Sequence, residues 1–394
     1  MSTLSEIAAA LLDGEGGTAL LAAALAVAIM VAVMLAASAG YFRIILNIAL
    51  FAQPDARVRA IGNPLVERGP LAGALSAPGL HDLFDHFGRL GHRMPAGTDL
   101  DGAAAERLIR EHHYEVVGHL IESVPDGVRP FFIAYARMLG AGEAAAIVAM
   151  KAQGVPPAAI EEEIVPVGGL TVNGVRKTAH AESAEEVVRR LRPKPFGPLI
   201  AAAYTGSAGN IGRFLARVQA DSLADLALAA RGVDIALSPP VVETAGVLID
   251  TANLRALIRG RTLELEREAV RPHLVATGGF ELVGDRLVRA ERAGSLPDLL
   301  TAISGTRYHP YLAALPAAVR DGDGAALERA LDRCTQDMVR ATASQYHLGS
   351  GPLLRYLVAL DYEVRNMRAI AHGLAAGVPP HEIEGVLVVE EMEG

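Results

Sequence analysis

The sequence contains no tryptophan, a single cysteine (Cys334), and aromatic residues at only 5% of its 394 positions. One cysteine excludes a disulfide framework within the chain. Lys and Arg form no cluster of the kind that follows nucleic-acid phosphates, and the formal net charge is -9, so we exclude nucleic acid as a partner. The apolar content, 51% of residues, is mostly Ala, Leu, Val and Ile, which favours helices. We predict an all-α protein of more than one helical unit, with its bulk in the cytoplasm.

Charge is also absent from residues 16–42, and residues 18–40 are almost wholly apolar. This run exceeds the ~20 residues with which a helix crosses a membrane. We therefore predict a transmembrane helix over 18–40; a buried core helix is the alternative. A cleaved signal peptide is disfavoured, because the first fifteen residues carry three acidic residues and no Lys or Arg.

Positive charges follow the apolar run at Arg43, Arg57 and Arg59. The positive-inside rule then predicts a short extracytoplasmic segment, 1–17, and a cytoplasmic body on the other side. Small residues recur every fourth position along the run and predict a face on which another membrane helix packs closely: Ala24, Ala28, Ala32, Ala36 and Gly40. Chance spacing in an alanine-rich segment explains the pattern equally well.

An internal repeat follows the apolar segment. Residues 147–170 align without a gap on 257–280 at an offset of 110, and residues 366–388 align on both, with GVPP at Gly154 and again at Gly377. Such periodicity is typical of chains built from repeated helical units. We predict a connection over 41–60 and then three units, 61–170, 171–282 and 283–394, and we expect the third to pack also with the N-terminal part of the body.

Two further features of the repeat concern its second helix. Leu353, Leu357, Leu360, Val364, Met367, Ile370 and Leu374 recur every three or four residues, which predicts one buried stripe on a helix. Gly154 and Gly377 then stand where a helix ends, and the prolines after them begin the next helix. Asn253 and Arg255 recur as Asn366 and Arg368. We interpret this recurrence as helix packing and capping and not as ligand binding.

Candidate chemical sites are few. His112, Glu115 and His119 share one helical face and could in principle hold zinc; exposed histidines on a polar helix are the simpler interpretation. A second cluster, His81, Asp82, Asp85 and His86, predicts exposed i, i+4 pairs and not a hydrolytic dyad. The glycines of GSAGNIG, Gly206, Gly209 and Gly212, lack the spacing of a dinucleotide fingerprint. We predict no catalytic, cofactor or metal site.

Three segments resemble a known family. PDARVR at 54–59, RYLVALDYEVRNMR at 355–368 and AHGLAAGVPPHEI at 371–383 resemble, in this order, signatures of the AC39/C family, which unites the C subunit of archaeal A-type ATP synthases and the d subunit of eukaryotic V-ATPases. The resemblance covers about residues 54–389. It implies a funnel of three similar helical units without catalytic activity or cofactor.

The resemblance also implies a role. Members of the family lie on the membrane ring of proteolipid subunits and provide a socket for the D/F-type subunits of the central stalk, so that ion flow and ATP chemistry are coupled by rotation. It implies no small-molecule substrate. The predicted membrane helix departs from most of the family, and we expect it to lie in the lumen of the ring, where it can rotate with the body.

Two alternatives belong to other classes of protein. One is a membrane-tethered helical scaffold unrelated to rotary ATPases, which would display a protein-binding concavity. The other is a membrane-bound metalloenzyme that uses His112, Glu115 and His119, which would retain metal through purification.

Overall fold

The computed structural model describes residues 15–94, 100–316 and 323–390, and within these ranges the chain forms helices and turns but no strand. The prediction of an all-α protein is confirmed. Two compact units are present, Met1–Gln53 and Pro54–Gly394; the second is called the body below.

The described residues of the first unit, 15–53, belong to the 47-residue helix α1, Glu15–Ile61, whose last turns, from Pro54 on, are part of the body. The predicted span 18–40 is therefore helical, and so is the predicted connection 41–60. Within it, Ala22–Leu35 is apolar, and its large side chains, such as Ile29, Met30 and Leu35, are all about half exposed or more. Ala24, Ala28 and Ala32 are exposed as well, whereas the side chains of Ala36 and Gly40, and residues 1–14, lie outside the described residues.

After α1 comes a 3-10 turn, Pro64–Val66, and seventeen further α-helices are described in the body. They are α2 Arg68–Leu75, α3 Leu80–Arg89, α4 Gly102–Ser123, α5 Arg129–Ala152, α6 Pro157–Glu163, α7 Val172–Ala179, α8 Ala184–Leu191, α9 Gly197–Gly206, α10 Ile211–Arg231, α11 Ser238–Thr262, α12 Arg267–Val270, α13 Asp285–Arg292, α14 Leu296–Ala302, α15 Tyr308–Ala313, α16 Gly324–Gln345, α17 Gly351–Ala375 and α18 Pro380–Glu384. A second 3-10 turn, Arg271–His273, follows α12.

Three helical hairpins stand out by length: α4–α5 (hairpin 1), α10–α11 (hairpin 2) and α16–α17 (hairpin 3), with helices of 21 to 25 residues. The first helix of each begins after a polar N-cap whose side chain accepts a backbone N–H three residues on: Asp101, Asn210 and Asp323. Each second helix has proline in its first turn. Both devices satisfy or remove N–H groups that a helix start leaves unpaired.

The hairpins contact one another in a cycle. The second helix of each packs on the first helix of another: α5 on α10, α11 on α16, and α17 on α4. Short helices then cover the second helix of each hairpin. For hairpin 1 these include α8, for hairpin 2 they include α14, and for hairpin 3 they come from the N-terminal part of the body, the turn Pro64–Val66 and α3.

The core is apolar and dense around these second helices. In α17 the predicted stripe is buried from Leu353 to Ile370, with Leu374 half-buried. By length and composition α5, Arg129–Ala152, could cross a membrane, but 67% of its apolar window is buried inside the body. We therefore attribute the apolar composition of α5 to its burial in the core of the body.

The GVPP segments end their helices as predicted. Gly154 and Gly377 take positive φ angles of 76° and 68°, and the next residue, Val155 or Val378, donates its N–H to the carbonyl five residues back, at 3.0 and 2.8 Å. This is the Schellman arrangement. In hairpin 2 the same position is held by Glu264, at φ 49°, and Leu265 donates to Gly260 at 2.8 Å.

Candidate functional site

The recurring Asn253 and Asn366 each hold a backbone segment that returns along their helix. Asn253 accepts the N–H of Val275 at 2.7 Å and donates to its carbonyl at 3.0 Å; Asn366 makes the same two bonds with Val388, at 2.9 and 2.7 Å. Both asparagines are fully buried. The bonds therefore satisfy backbone groups that have lost contact with water.

Hairpin 1 carries a carboxylate in the equivalent place. Glu143, 4% exposed, accepts the N–H of Val165 at 3.2 Å, which is again 22 residues further on. Its other oxygen accepts bonds from Tyr114, at 2.6 Å, and Arg110, at 3.1 Å. The guanidinium of Arg110 compensates the charge that burial of this carboxylate would otherwise leave unpaired.

The clamp of hairpin 3 also reaches the N-terminal part of the body. Asn366 donates to the carbonyl of Leu65 at 2.8 Å, and the N–H of Leu65 donates to the buried carboxylate of Glu363 at 2.9 Å. Glu390 donates its N–H to Val66 at 2.8 Å. Chain segments more than 290 residues apart are thus joined into one buried layer around α17.

Ion pairs link the hairpins at each contact of the cycle. Arg137 on α5 bonds Asp225 on α10 at 2.6 Å. Arg255 on α11 bonds Asp332 on α16 at 2.5 Å. The third contact closes the cycle, where Arg368 on α17 bonds Glu106 on α4 at 2.8 Å.

The two recurring arginines thus lie at two of these contacts. Asp332 is fully buried and also accepts Arg365 at 2.6 Å and Tyr362 at 3.3 Å. Glu106 also pairs with His372 at 2.9 Å. These bonds, chiefly from Arg368, hold the pKa of Glu106 below its usual value although burial opposes them. The carboxylate consequently stays charged at the junction of hairpins 3 and 1.

A cavity of about 330 Å³ lies where the second helices of all three hairpins meet. Tyr135 donates to Asp361 across it, and His113 lies 3.3 Å from the same carboxylate. Helices from all three hairpins thus line this cavity, and Tyr135 and Asp361 join hairpins 1 and 3 across it.

The zinc candidates do not converge. His112 Nε2 lies 3.0 Å from His92 Nδ1, and His92 Nε2 lies 3.1 Å from Glu363, whereas His119 pairs at the surface with Glu115 at 3.6 Å. Burial, and next the charge of His92, lower the pKa of His112 to about 4. In the part of the chain that the structure describes, no three His, Cys, Asp or Glu residues are grouped so that they could hold a metal ion.

The other two candidate clusters occupy ordinary helix positions. His86 on α3 lies 3.0 Å from the carbonyl of Pro70, and His81, Asp82 and Asp85 are exposed on the same helix. Gly206 ends α9, Gly209 turns the chain with φ 82°, and Gly212 lies in the first turn of α10. The glycine segment therefore joins two helices and follows no strand within the described ranges.

Four carboxylates that share these contacts were not predicted from sequence patterns: Glu106, Glu143, Asp332 and Glu363. A signal for one of them was present, because the repeat offset of 110 places Glu143 on Asn253. The other three pair with residues in different parts of the chain, and no local spacing reports such pairs.

The body is thus an all-helical protein of a defined class, a cycle of three helical hairpins joined by buried polar contacts. Residues 54–386 match the model of the family described as ATP synthase (C/AC39) subunit. The match covers most of the chain, and the protein belongs to this family.

Relatives named as the C subunit of an A-type ATP synthase match along most of their length. The protein from Methanocaldococcus jannaschii is 23% identical over 359 residues, 88% of this chain and 88% of its own. That from Methanothermobacter thermautotrophicus is 24% identical and covers 84% and 85%, and that from Methanobrevibacter smithii is 22% identical and covers 88% and 90%.

Proposed function

We propose that this protein is a non-catalytic central-stalk subunit of an A/V-type rotary ATPase, in which it couples the membrane ion-translocating ring to the rotor stalk. The observation that carries the proposal is the family match over residues 54–386, together with relatives named as the C subunit of A-type ATP synthases. The partners are the proteolipid subunits of the ring on one side and D/F-type rotor subunits on the other.

The geometry of the body supports a mechanical role. A part that transmits torque must resist shear between its pieces, and each contact in the cycle of hairpins carries an ion pair, such as Arg255–Asp332 and Arg368–Glu106. The buried clamps of Asn253 and Asn366 tie each returning segment to its helix. Buried, fully paired polar groups favour one arrangement over its alternatives.

We further propose that the three hairpins belong to three similar units, 61–170, 171–282 and 283–394, arranged around an axis as a funnel. The clamps at Glu143, Asn253 and Asn366, each of which holds a residue 22 positions further on, support this division. In this division the third unit takes its covering elements, Pro64–Val66 and α3, from the N-terminal part of the body.

Residues 18–40 are proposed to cross the membrane with the N-terminus outside. Consecutive exposed apolar side chains, Ile29, Met30 and Val31 among them, point to all sides of the helix, as they do in a membrane span and not in an amphipathic surface helix. A helix that rotates with the ring would strike the stator if it lay outside the ring, so we place it in the lumen of the ring. There its face of small residues would pack against neighbouring helices.

Affinity purification of the full chain from native membranes tests the function. We expect the ring proteolipids, the D/F-type stalk subunits and the catalytic subunits to copurify in fixed stoichiometry. Purification of the intact chain without any ATPase subunit would instead favour the tethered scaffold.

Crosslinking from a cysteine at Ala28 tests the location of the membrane helix separately, because the chain has one other cysteine, the buried Cys334. Crosslinks to the lumen-facing helices of the ring are expected. Crosslinks only to the outer, stator-facing helices would contradict the lumen position and leave the proposed role in the complex intact.

A further inference from the structure

Hairpin 1 carries an apolar groove near its turn. A cavity of about 680 Å³ lies between α4, α5 and the segment 165–169. Its walls include Ile121, and also Ile133 and Val172, which are 46% and 63% exposed. Apolar side chains of this size exposed together indicate a surface that another molecule covers.

The floor of this groove is rigid. A side chain at Gly168, whose φ is 59°, would lie 1.9 Å from the carbonyl oxygen of Ala136 on α5. The segment 165–169 therefore lies directly against the helix, and Glu143 holds the N–H of Val165. The groove is thus a preformed depression and not a gap that the chain can close by moving inward.

Hairpin 3 has the corresponding groove, and a helix forms one of its walls. The N-caps Asp101 and Asp323 are 222 residues apart. The same spacing carries Gly118 and Ile121 of the first groove onto Arg340 and Ala343, which line a cavity of about 570 Å³ in hairpin 3. The walls of this second cavity also include Val58 and Arg59, from the last turns of α1.

The contacts of this wall show how the helix is held. Val58 is 5% exposed, and Arg59 donates to the carbonyl of His347 at 3.1 Å, beside the turn of the hairpin. The lining of the hairpin 1 groove contains no residue of α1, so this groove lacks the wall that Val58 and Arg59 supply in hairpin 3.

The rim of the hairpin 1 groove is acidic. Glu111 and Glu115, with side chains 42% and 67% exposed, stand on α4 beside it. Glu111 pairs with Arg107 at 2.8 Å, and Glu115 pairs with His119 at the longer distance of 3.6 Å. Arg137, the arginine of the groove wall, is engaged by Asp225. A partner with positive charge next to its apolar contacts is complementary to such a rim.

We propose that the groove of hairpin 1 is the docking site for an amphipathic helix of another subunit of the same complex, with apolar residues three and four positions apart toward Ile133 and Val172 and a Lys or Arg toward Glu115. Helices of this kind bind grooves through such spaced anchors. The inference rests on the proposed function, because the partner is taken from the rotary complex.

Site-specific photocrosslinking in the assembled complex tests the proposal. The full chain carries benzoylphenylalanine at position 133 or 172 and is irradiated after purification from native membranes. The control carries it at Leu263, which is 64% exposed after the end of α11 and outside the groove. We expect positions 133 and 172, but not 263, to crosslink to one peptide of another subunit with the described apolar and basic pattern.

Charge substitution provides the second measurement. Ile133→Glu combined with Val172→Glu should lower retention of that subunit about tenfold, whereas Leu263→Glu combined with Leu265→Glu should retain it. All four side chains are at least 43% exposed, and thermal unfolding of each variant verifies that the body is intact.

Crosslinks only to lipid, only to a second copy of this chain, or to nothing would overturn the proposal, as would equal retention in the two double variants. Each of these results is compatible with copurification of the ATPase subunits by the unsubstituted chain. Failure of the groove and failure of the proposed function are therefore distinguishable.

Discussion

Asn253 holds Val275 at both of its backbone polar groups, accepting the N–H at 2.7 Å and donating to the carbonyl at 3.0 Å, with both residues buried. Val275 lies in neither a helix nor a strand, so the side chain of Asn253 supplies the hydrogen bonds that its backbone would otherwise make within such an element. Because the two groups are removed from water, their free energy depends on this one amide.

Replacement of Asn253 by alanine should lower the free energy of unfolding by about 2–4 kcal/mol, since a buried donor and a buried acceptor are left unpaired. The urea midpoint of the full chain in detergent is the measurement. Asn210→Ala is the matched control: it removes one exposed N-cap bond and should cost about 1 kcal/mol. Equal losses in the two variants would contradict the clamp.

At the ends of the second helices, residues with a positive φ angle allow us to predict two substitutions with opposite effects on stability. Gly377→Ala forces a side chain into φ 68° and should destabilise the protein by about 1 kcal/mol, although the space around it is empty. Glu264→Gly relieves the same conformation, at φ 49°, and should stabilise by up to about 1 kcal/mol. Thermal unfolding measures both, and a destabilised Glu264→Gly would mean that its side chain makes a compensating contact.

Glu106 closes the cycle between hairpins 3 and 1. Glu106→Gln removes the charge that Arg368 and His372 share and should cost about 1 kcal/mol, because both partners are half exposed and solvent screens the pair. Hydrogen exchange should increase chiefly at the facing surfaces of α4 and α17. Glu111→Gln, on the same helix and paired with Arg107, is the control and should leave exchange in α17 unchanged.

The pKa of His112 predicts sensitivity to acid. In the folded protein the pKa is lowered to about 4, first by burial, whereas the unfolded chain takes up a proton near the ordinary pKa of 6.5. The unfolded state therefore binds more protons between these values, and stability falls as pH decreases from 6.5 to 4. His112→Gln should remove about 2 kcal/mol of this fall, as measured by urea midpoints at about pH 7.5 and 5.

Asp55 should show the opposite dependence. Burial raises the pKa of its carboxyl to about 7, although Arg59 counteracts the shift, so the folded state retains a proton that the unfolded state releases above its ordinary pKa of 3.8. Stability therefore falls as pH rises from 3.8 to about 7 and levels off above that. Asp55→Asn should be more stable than the unsubstituted chain at about pH 8 and no more stable at about pH 4. A variant less stable at the higher pH would contradict this assignment of the charge state.

Local order was largely predictable. The helix class, the buried stripe of α17 from Leu353 to Ile370, and the helix ends at Gly154 and Gly377 follow from side-chain spacing and from the backbone angles that glycine accepts. These features depend on residues within a few turns of one another. The family could be predicted as well, since its motifs are read along the chain. The three-unit division and the membrane helix stay predictions.

Side-chain contacts between residues that are far apart in the sequence were not predictable. Asp361 and Arg365 stand four apart in an order suited to a mutual pair, yet Asp361 meets Tyr135 and Arg365 meets Asp332. The surface histidine expected at position 112 is instead half-buried against His92 and the layer around Glu363. Each outcome depends on which helices the cycle brings side by side.

The sequence by itself therefore determined the helices, their ends and their apolar faces, because periodicity and backbone sterics act over a few residues. Only the tertiary structure decided that α17 closes on α4, that residues 63–89 cover the last hairpin, and that α1 lines the groove of hairpin 3 but not that of hairpin 1. Those relationships depend on how apolar faces from distant segments are buried together, and the spacing of residues along a chain carries no record of that pairing.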